Sequence, residues 1–298
     1  MILPPPLQPG DAVGMVAPSR LIKPDQVEQA LATFNLWGLE VRQGSSLFGT
    51  HGYFAGTDEN RLNDLQNFIN DPEIKCIFCA RGGYGVTRIL DQLNLKPMLK
   101  TPKWIVGFSD ITALHLALAK LGLVSVHGLM PVQFDYFDAE GSIESLRALL
   151  FEHNIGVAAA YHTSNRDGKA EAPIVGGNLS LVADSLGTAS EIDTAGRILL
   201  LEEIDEYLYK IDRMLVQLKR AGKLNQLKGL VIGDFSQIKD TRIPFGQSLE
   251  QIILDKVRGY DYPVAFGFQI GHEIPNYSLP LMYPIKLQVL KEGSSITA

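Results

Sequence analysis

Cysteine is almost absent from this chain, with only Cys76 and Cys79 among 298 residues. That excludes a disulfide-stapled framework and leaves one C-x-x-C to be weighed as a redox or metal motif. The surrounding run EIKCIFCA is short, apolar and followed by glycines, which favours a strand. On a strand, residues three apart point to opposite faces, so the two sulfurs diverge. No second cysteine pair exists to complete a zinc site, and both residues read as small buried hydrophobes; neither a metal nor a cofactor is expected. No run of lysine or arginine occurs and the formal net charge is −6, so nucleic acid is not an expected partner. No segment approaches the length and apolarity of a membrane span, and MILPPPLQPGDAVGMVAPSR lacks the basic start and apolar stretch of a secretory signal. A cytoplasmic protein without a membrane partner is the expectation. Internal repeats and low-complexity tracts are also missing.

What the chain does have is apolar content of 46%, enough for a sizeable core and long enough for two domains. Its first half alternates strands and helices. Asp11 to Val16 reads as a strand, and Asp25 to Trp37 as a helix ended by Gly38. Leu39 to Val41 reads as a second strand; Thr57 then caps a helix on which Leu62, Leu65, Phe68 and Ile69 repeat at helical spacing. The Cys76–Cys79 strand, the loop Arg81-Gly82-Gly83-Tyr84-Gly85, a short helix, and the strand Trp104 to Val106 follow. This order indicates a parallel sheet covered on both faces. Loops that carry function gather at the carboxyl ends of such strands, so the Arg81 loop and the turn at Ser109 should share one edge. Residues 1–155 are expected as one domain, 156–169 as a crossing, and 170–298 as a second α/β domain.

Ser109 stands in Gly107-Phe108-Ser109-Asp110, between an apolar strand and the helical stretch ITALHLALAKL. A serine there is lifted out of the sheet beside free helix N–H groups, as an acyl-transfer nucleophile requires; equally, Ser109 or Asp110 could simply cap the helix. In RILLLEEIDE an apolar strand ends in carboxylates, and the adjacent Glu202 and Glu203 face opposite sides, so they are not the paired acids of a glycosidase. One can point into a cleft; the plainer reading is a solvated acidic loop. His272, in Gly271-His272-Glu273, follows another strand at its carboxyl end. His115 sits six residues after Ser109 on its helix, on a different face, and His127 is the remaining competitor as base. Serine, acid and histidine each following a strand, in the order Ser109, Glu202, His272, make the set needed for nucleophilic catalysis.

The segments RGGYG at 81, GFSD at 107, VGGNL at 175, LEEI at 201 with IDRML at 211, and GHE at 271 resemble, in order and spacing, the LD-carboxypeptidase family of serine peptidases. The resemblance spans nearly the whole chain. It implies a Rossmann-like N-terminal domain with a parallel sheet, a C-terminal α/β domain containing β structure, and an active site between them. By position it implies Ser109 as nucleophile, Glu202 as the acid orienting His272, and His272 as base. It implies an oxyanion hole from the N–H of Asp110 and one in the Gly82-Gly83 turn. Members are typically metal-free homodimers releasing terminal D-alanine from cytoplasmic muropeptide tetrapeptides in peptidoglycan recycling; some relatives instead inactivate microcin-type peptide nucleotides or aminoacyl adenylates. An exopeptidase must also bind a free carboxylate, for which Arg81 or Arg213 is a cationic candidate. A nucleotide-binding module with the Arg81 loop on phosphate is the remaining alternative, although that loop fits neither G-x-G-x-x-G nor P-loop spacing.

Overall fold

Five short strands in the N-terminal half pair in parallel: β1 (Ala12–Val16), β2 (Glu40–Gln43), β3 (Ile74–Cys79), β4 (Trp104–Gly107) and β5 (Ser125–His127), the central β1, β3 and β4 being largely apolar and the edge β2 polar. The structure, a computed structural model, describes residues 1–298. Strand order is β2-β1-β3-β4-β5, so the chain leaves β1 towards one side and β3 towards the other. The helices α1 (Glu28–Leu36), α2 (Asp58–Asn70), α3 (Val86–Ile89) and α4 (Thr112–Lys120) make the crossovers, and α5 (Glu140–Glu152) closes this half. Thr57 caps α2 as its sequence foretells: its hydroxyl accepts from Asn60 N–H at 3.2 Å, while Asn60 Oδ1 accepts from Thr57 N–H at 3.2 Å.

The second sheet uses β6 (Gly156–Ala159), β7 (Gly168–Asn178), β8 (Ile198–Ile204), β9 (Gly229–Ser236), β10 (Val264–Ala265), β12 (Pro284–Leu290) and β13 (Gly293–Thr297), in the order β10-β9-β8-β7-β12-β13-β6. Strands β7 to β10 run parallel, linked by α6 (Leu179–Asp184), α7 (Leu208–Arg220) and α8 (Leu249–Lys256). The rest is an antiparallel meander, and β12 shows the matching exposed–buried alternation. Two assignments differ from the expectation. The span 156–169 contains strand β6, whose Gly-Val-Ala-Ala is too short and small to declare itself, and the strand expected ahead of His272 is a ladder only at Val264–Ala265. In addition, β11 (Leu279–Leu281) returns from the C-terminal half to pair antiparallel with β5. One apolar cluster runs through both sheets, and Cys76 and Cys79 are buried in it as free thiols, Cys79 being pushed up by burial to about 12.

The two carboxyl edges are joined where β7 ends. Asn178 N–H donates to Thr112 Oγ1 at 3.1 Å, and Gly177 has φ +133° with the place of a Cβ only 2.7 Å from that oxygen. Only glycine fits so close an approach. The joint lies one helical turn behind Ser109.

Candidate active site

Ser109 leaves β4 with φ +61°, in the left-handed region that serine rarely occupies. Such a residue costs about 1–2 kcal/mol and persists only where its surroundings enforce it. They do so through Asp110, whose buried carboxylate accepts from Ser19 Oγ at 2.5 Å and from Val86 N–H at 3.0 Å. One side chain thus staples the loops after β1, β3 and β4 together. Burial raises its pKa, partly offset by those two hydrogen bonds. Neither Ser109 nor Asp110 caps the helix: Phe108 is the N-cap residue and makes no side-chain capping bond. The capping alternative is therefore set aside.

Glu202 and Glu203 are both buried, and the solvated-loop reading fails for each. Their divergence across β8 gives them separate partners. Glu203 accepts from Asn178 Nδ2 at 2.9 Å, Ser180 N–H at 2.9 Å and Ser180 Oγ at 2.6 Å, tying β8 to the start of α6. Glu202 Oε2 instead lies 2.7 Å from His272 Nδ1. A carboxylate accepts only, so Nδ1 carries the proton and Nε2 presents a lone pair. Burial alone would lower the His272 pKa, but the charge and hydrogen bond of Glu202, then Glu203 and Asp234, carry it above its ordinary value. Burial raises Glu202 itself, against the opposing pull of His272.

The loop bearing His272 is held from β9. Asp234 N–H donates to Ile270 C=O at 2.9 Å, and Gly271 at φ +150° leaves the place of a Cβ 3.0 Å from Asp234 Cβ. Burial, with Glu202 and Glu273 nearby, pushes the Asp234 carboxyl up to about 7. Gly271 N–H donates to buried Asn276 Oδ1 at 3.0 Å.

The structure brings His272 to the Ser109 turn through Phe108, whose ring stands edge-on to the imidazole with centroids 4.8 Å apart. No hydrogen bond joins Ser109 directly to His272; such contacts often tighten only with substrate. Gly82 abuts the serine, the place of its Cβ being 3.1 Å from Ser109 Cβ and 3.3 Å from Oγ. The amides of Gly82, Gly83 and Asp110 have no intramolecular acceptor. Arg81 is partly buried beside them, whereas Arg213 is exposed on α7 with its guanidinium 5.7 Å over the Tyr209 ring. His115 is spent inside the core, donating from Nε2 to Gly107 C=O at 2.8 Å and accepting at Nδ1 from Ser125 Oγ at 2.9 Å. His127 is fully buried without a partner on either nitrogen, and burial pulls it down to about 3. Asp234 and Ser19 were not singled out from the sequence, and Asn178 only as part of VGGNL; Asp234 left a signal as an acid near the end of an apolar strand.

Chemically, these groups supply what acyl transfer by a serine requires: a half-buried hydroxyl at a turn, a neutral imidazole fixed in one tautomer, and free N–H donors. The protein is thus of the serine-hydrolase class. Residues 13–128 match the LD-carboxypeptidase N-terminal domain and residues 171–287 the C-terminal domain. The chain belongs to the LD-carboxypeptidase family and is a serine-type carboxypeptidase. It is 39% identical over 280 residues to a probable murein peptide carboxypeptidase of Bacillus subtilis (strain 168), covering 92% of this chain and 88% of the relative. The crystal structure of muramoyltetrapeptide carboxypeptidase from Oxalobacter formigenes superposes with TM-score 0.86 at 27% identity, covering 96% of this chain and 98% of the other. Microcin C7 self immunity protein MccF in its wild-type apo state shares the fold, with TM-score 0.88 at 21% identity over 100% and 99% of the chains.

Proposed function

We propose that this enzyme releases the terminal D-alanine from muropeptide tetrapeptides by hydrolysing the bond between an L centre, such as that of meso-diaminopimelate, and D-alanine. The observation that carries the chemistry is the 2.7 Å pair of His272 Nδ1 and Glu202, beside the turn that presents Ser109. The substrate class is supported by the relatives at 39% and 27% identity, one named for murein peptides and the other for muramoyltetrapeptide. The likeness to MccF, at 21% identity, supports the fold alone.

In this reading Ser109 Oγ adds to the scissile carbonyl while His272 Nε2 takes its proton. The oxyanion accepts from the N–H of Asp110 and from one in the Gly82-Gly83 turn. Collapse breaks the C–N bond, and His272 returns the proton to the departing D-alanine amine. Water then adds to the ester with His272 again as base, and Ser109 leaves with the proton. We further read the reaction as cytoplasmic, within peptidoglycan recycling, and the working unit as a homodimer, which light scattering would check. Mass spectrometry of products from a purified tetrapeptide muropeptide tests the bond, its stereochemistry and end specificity together. Loss of one D-alanine is expected; no loss, with hydrolysis of an aminoacyl adenylate instead, would overturn the muropeptide reading.

A further inference from the structure

We propose that Arg20 and Arg81 together form an anion subsite that holds a carboxylate of the substrate next to Ser109. The inference rests on the peptidase reading above and adds a residue and a location to it. Arg20 follows β1 and Arg81 follows β3, the neighbouring strands from which the chain departs in opposite directions. In an open parallel sheet, that divergence leaves a crevice outside the carboxyl ends, where ligands bind.

The two loops are locked to each other. Arg20 N–H donates to Gly82 C=O at 3.4 Å, and the place of a Cβ on Gly83 is 3.0 Å from Arg20 Cβ and 2.8 Å from Tyr53 Oη. Buried Arg61 donates to Gly85 C=O at 3.0 Å and also to Pro18 C=O, bracing both loops from behind. The Arg20 guanidinium lies over the Tyr53 ring at 5.3 Å to the centroid. Neither Arg20 nor Arg81 has a carboxylate within ion-pair distance, unlike Arg42, Arg61 and Arg88 on the same half of the protein. Besides burial, what acts on Arg81 is a second cation, Arg20, and the phenols of Tyr136 and Tyr53, with no acid among them. Arg20 is exposed and Arg81 partly buried; two neighbouring guanidiniums without a counter-ion repel, and the partly buried one does so at reduced screening. A carboxylate entering between them relieves both costs and meets planar forks that bind it bidentately. Gly82, the residue after Arg81, abuts Ser109, which sets the Arg81 loop beside the nucleophile.

In a peptide ending in D-alanine, that carboxylate is either the free terminus or the side-chain carboxylate of a diaminopimelate on the acyl side. Steady-state kinetics on four tetrapeptides separate the sources: free acid or terminal amide, each with diaminopimelate or lysine third. Arg20→Ala and Arg81→Ala are each expected to raise KM about tenfold or more, with a smaller change in kcat, only for substrates carrying the recognised carboxylate. Arg81→Lys should recover part of that loss. Equal effects on all four substrates, or none on any, overturn the subsite. If the wild type cleaves none of the four, the muropeptide reading fails by itself. The subsite is then read from protection of Ser109 against a fluorophosphonate by N-acetyl-D-alanine. Protection in the wild type that is lost in Arg81→Ala sustains it; absence of protection in the wild type overturns it.

Discussion

Glu202 Oε2 and His272 Nδ1 lie 2.7 Å apart although 70 residues separate them in the chain, and the glutamate is wholly buried. The carboxylate is retained at a desolvation cost that a neutral side chain would avoid, which implies a use for its charge. Glu202→Gln is therefore expected to lower kcat by about 10²–10⁴-fold, because the imidazolium formed during acylation loses its counter-charge. Thermal stability should hold or rise in the same variant. A melting temperature that collapses together with activity would mean the pair is mainly structural.

Ser109 at φ +61° separates chemistry from strain. Both Ser109→Ala and Ser109→Gly should lose about 10⁴-fold or more in kcat/KM and all fluorophosphonate labelling. The glycine variant should be more stable than the alanine variant by about 1 kcal/mol, since only glycine occupies that region without a steric penalty. Urea unfolding of the pair measures the difference; an equal or lower midpoint for glycine contradicts the strain.

The acid limb of kcat/KM reports the loss of neutral His272. Its pKa stands above the ordinary 6.5, so activity should fall as pH drops through a midpoint above that value. Asp234, pushed up to about 7, titrates in the same interval and, when charged, favours the imidazolium. In Asp234→Asn the midpoint should move to lower pH and the limb should approach a single titration. An unmoved profile would show that Asp234 acts on the loop alone.

His115 gives a pH dependence of stability. Burial draws it down from 6.5 to about 4, so between those values the unfolded chain binds a proton that the folded protein refuses. The stabilising contribution is complete above 6.5 and is lost as pH falls towards 4, at up to about 1.4 kcal/mol per pH unit. The stability advantage of the wild type over His115→Gln should therefore shrink across that window. A constant difference in unfolding free energy from pH 7 to pH 4.5 would refute the assignment.

Much of the site was legible because an apolar run ending in a chemically active residue is a local pattern. Ser109, Glu202 and His272 each follow such a run, which puts all three at carboxyl ends of strands. Helix α5 carries the same kind of local signal, with Ile143, Leu146 and Leu150 at helical spacing. Other parts were not legible at any window length. Period two says that Glu202 and Glu203 diverge, not which of them meets His272. Nothing near Arg20 announces that Arg81 will come to lie beside it.

Periodicity thus determined the parallel core, and short motifs with their resemblance to a family indicated the class of protein and the order of the reactive residues, because these depend on side chains a few positions apart. Tertiary structure decided the partners. Asp110 became a staple rather than a cap because Ser19 and Val86 converge on it from two other loops. His127 was removed as a base because the core encloses both its nitrogens, and Arg20 was paired with Arg81 because β1 and β3 are neighbours in space. Each of these is a relation between segments distant in sequence, fixed by how strands order themselves in a sheet and not by any residue taken alone.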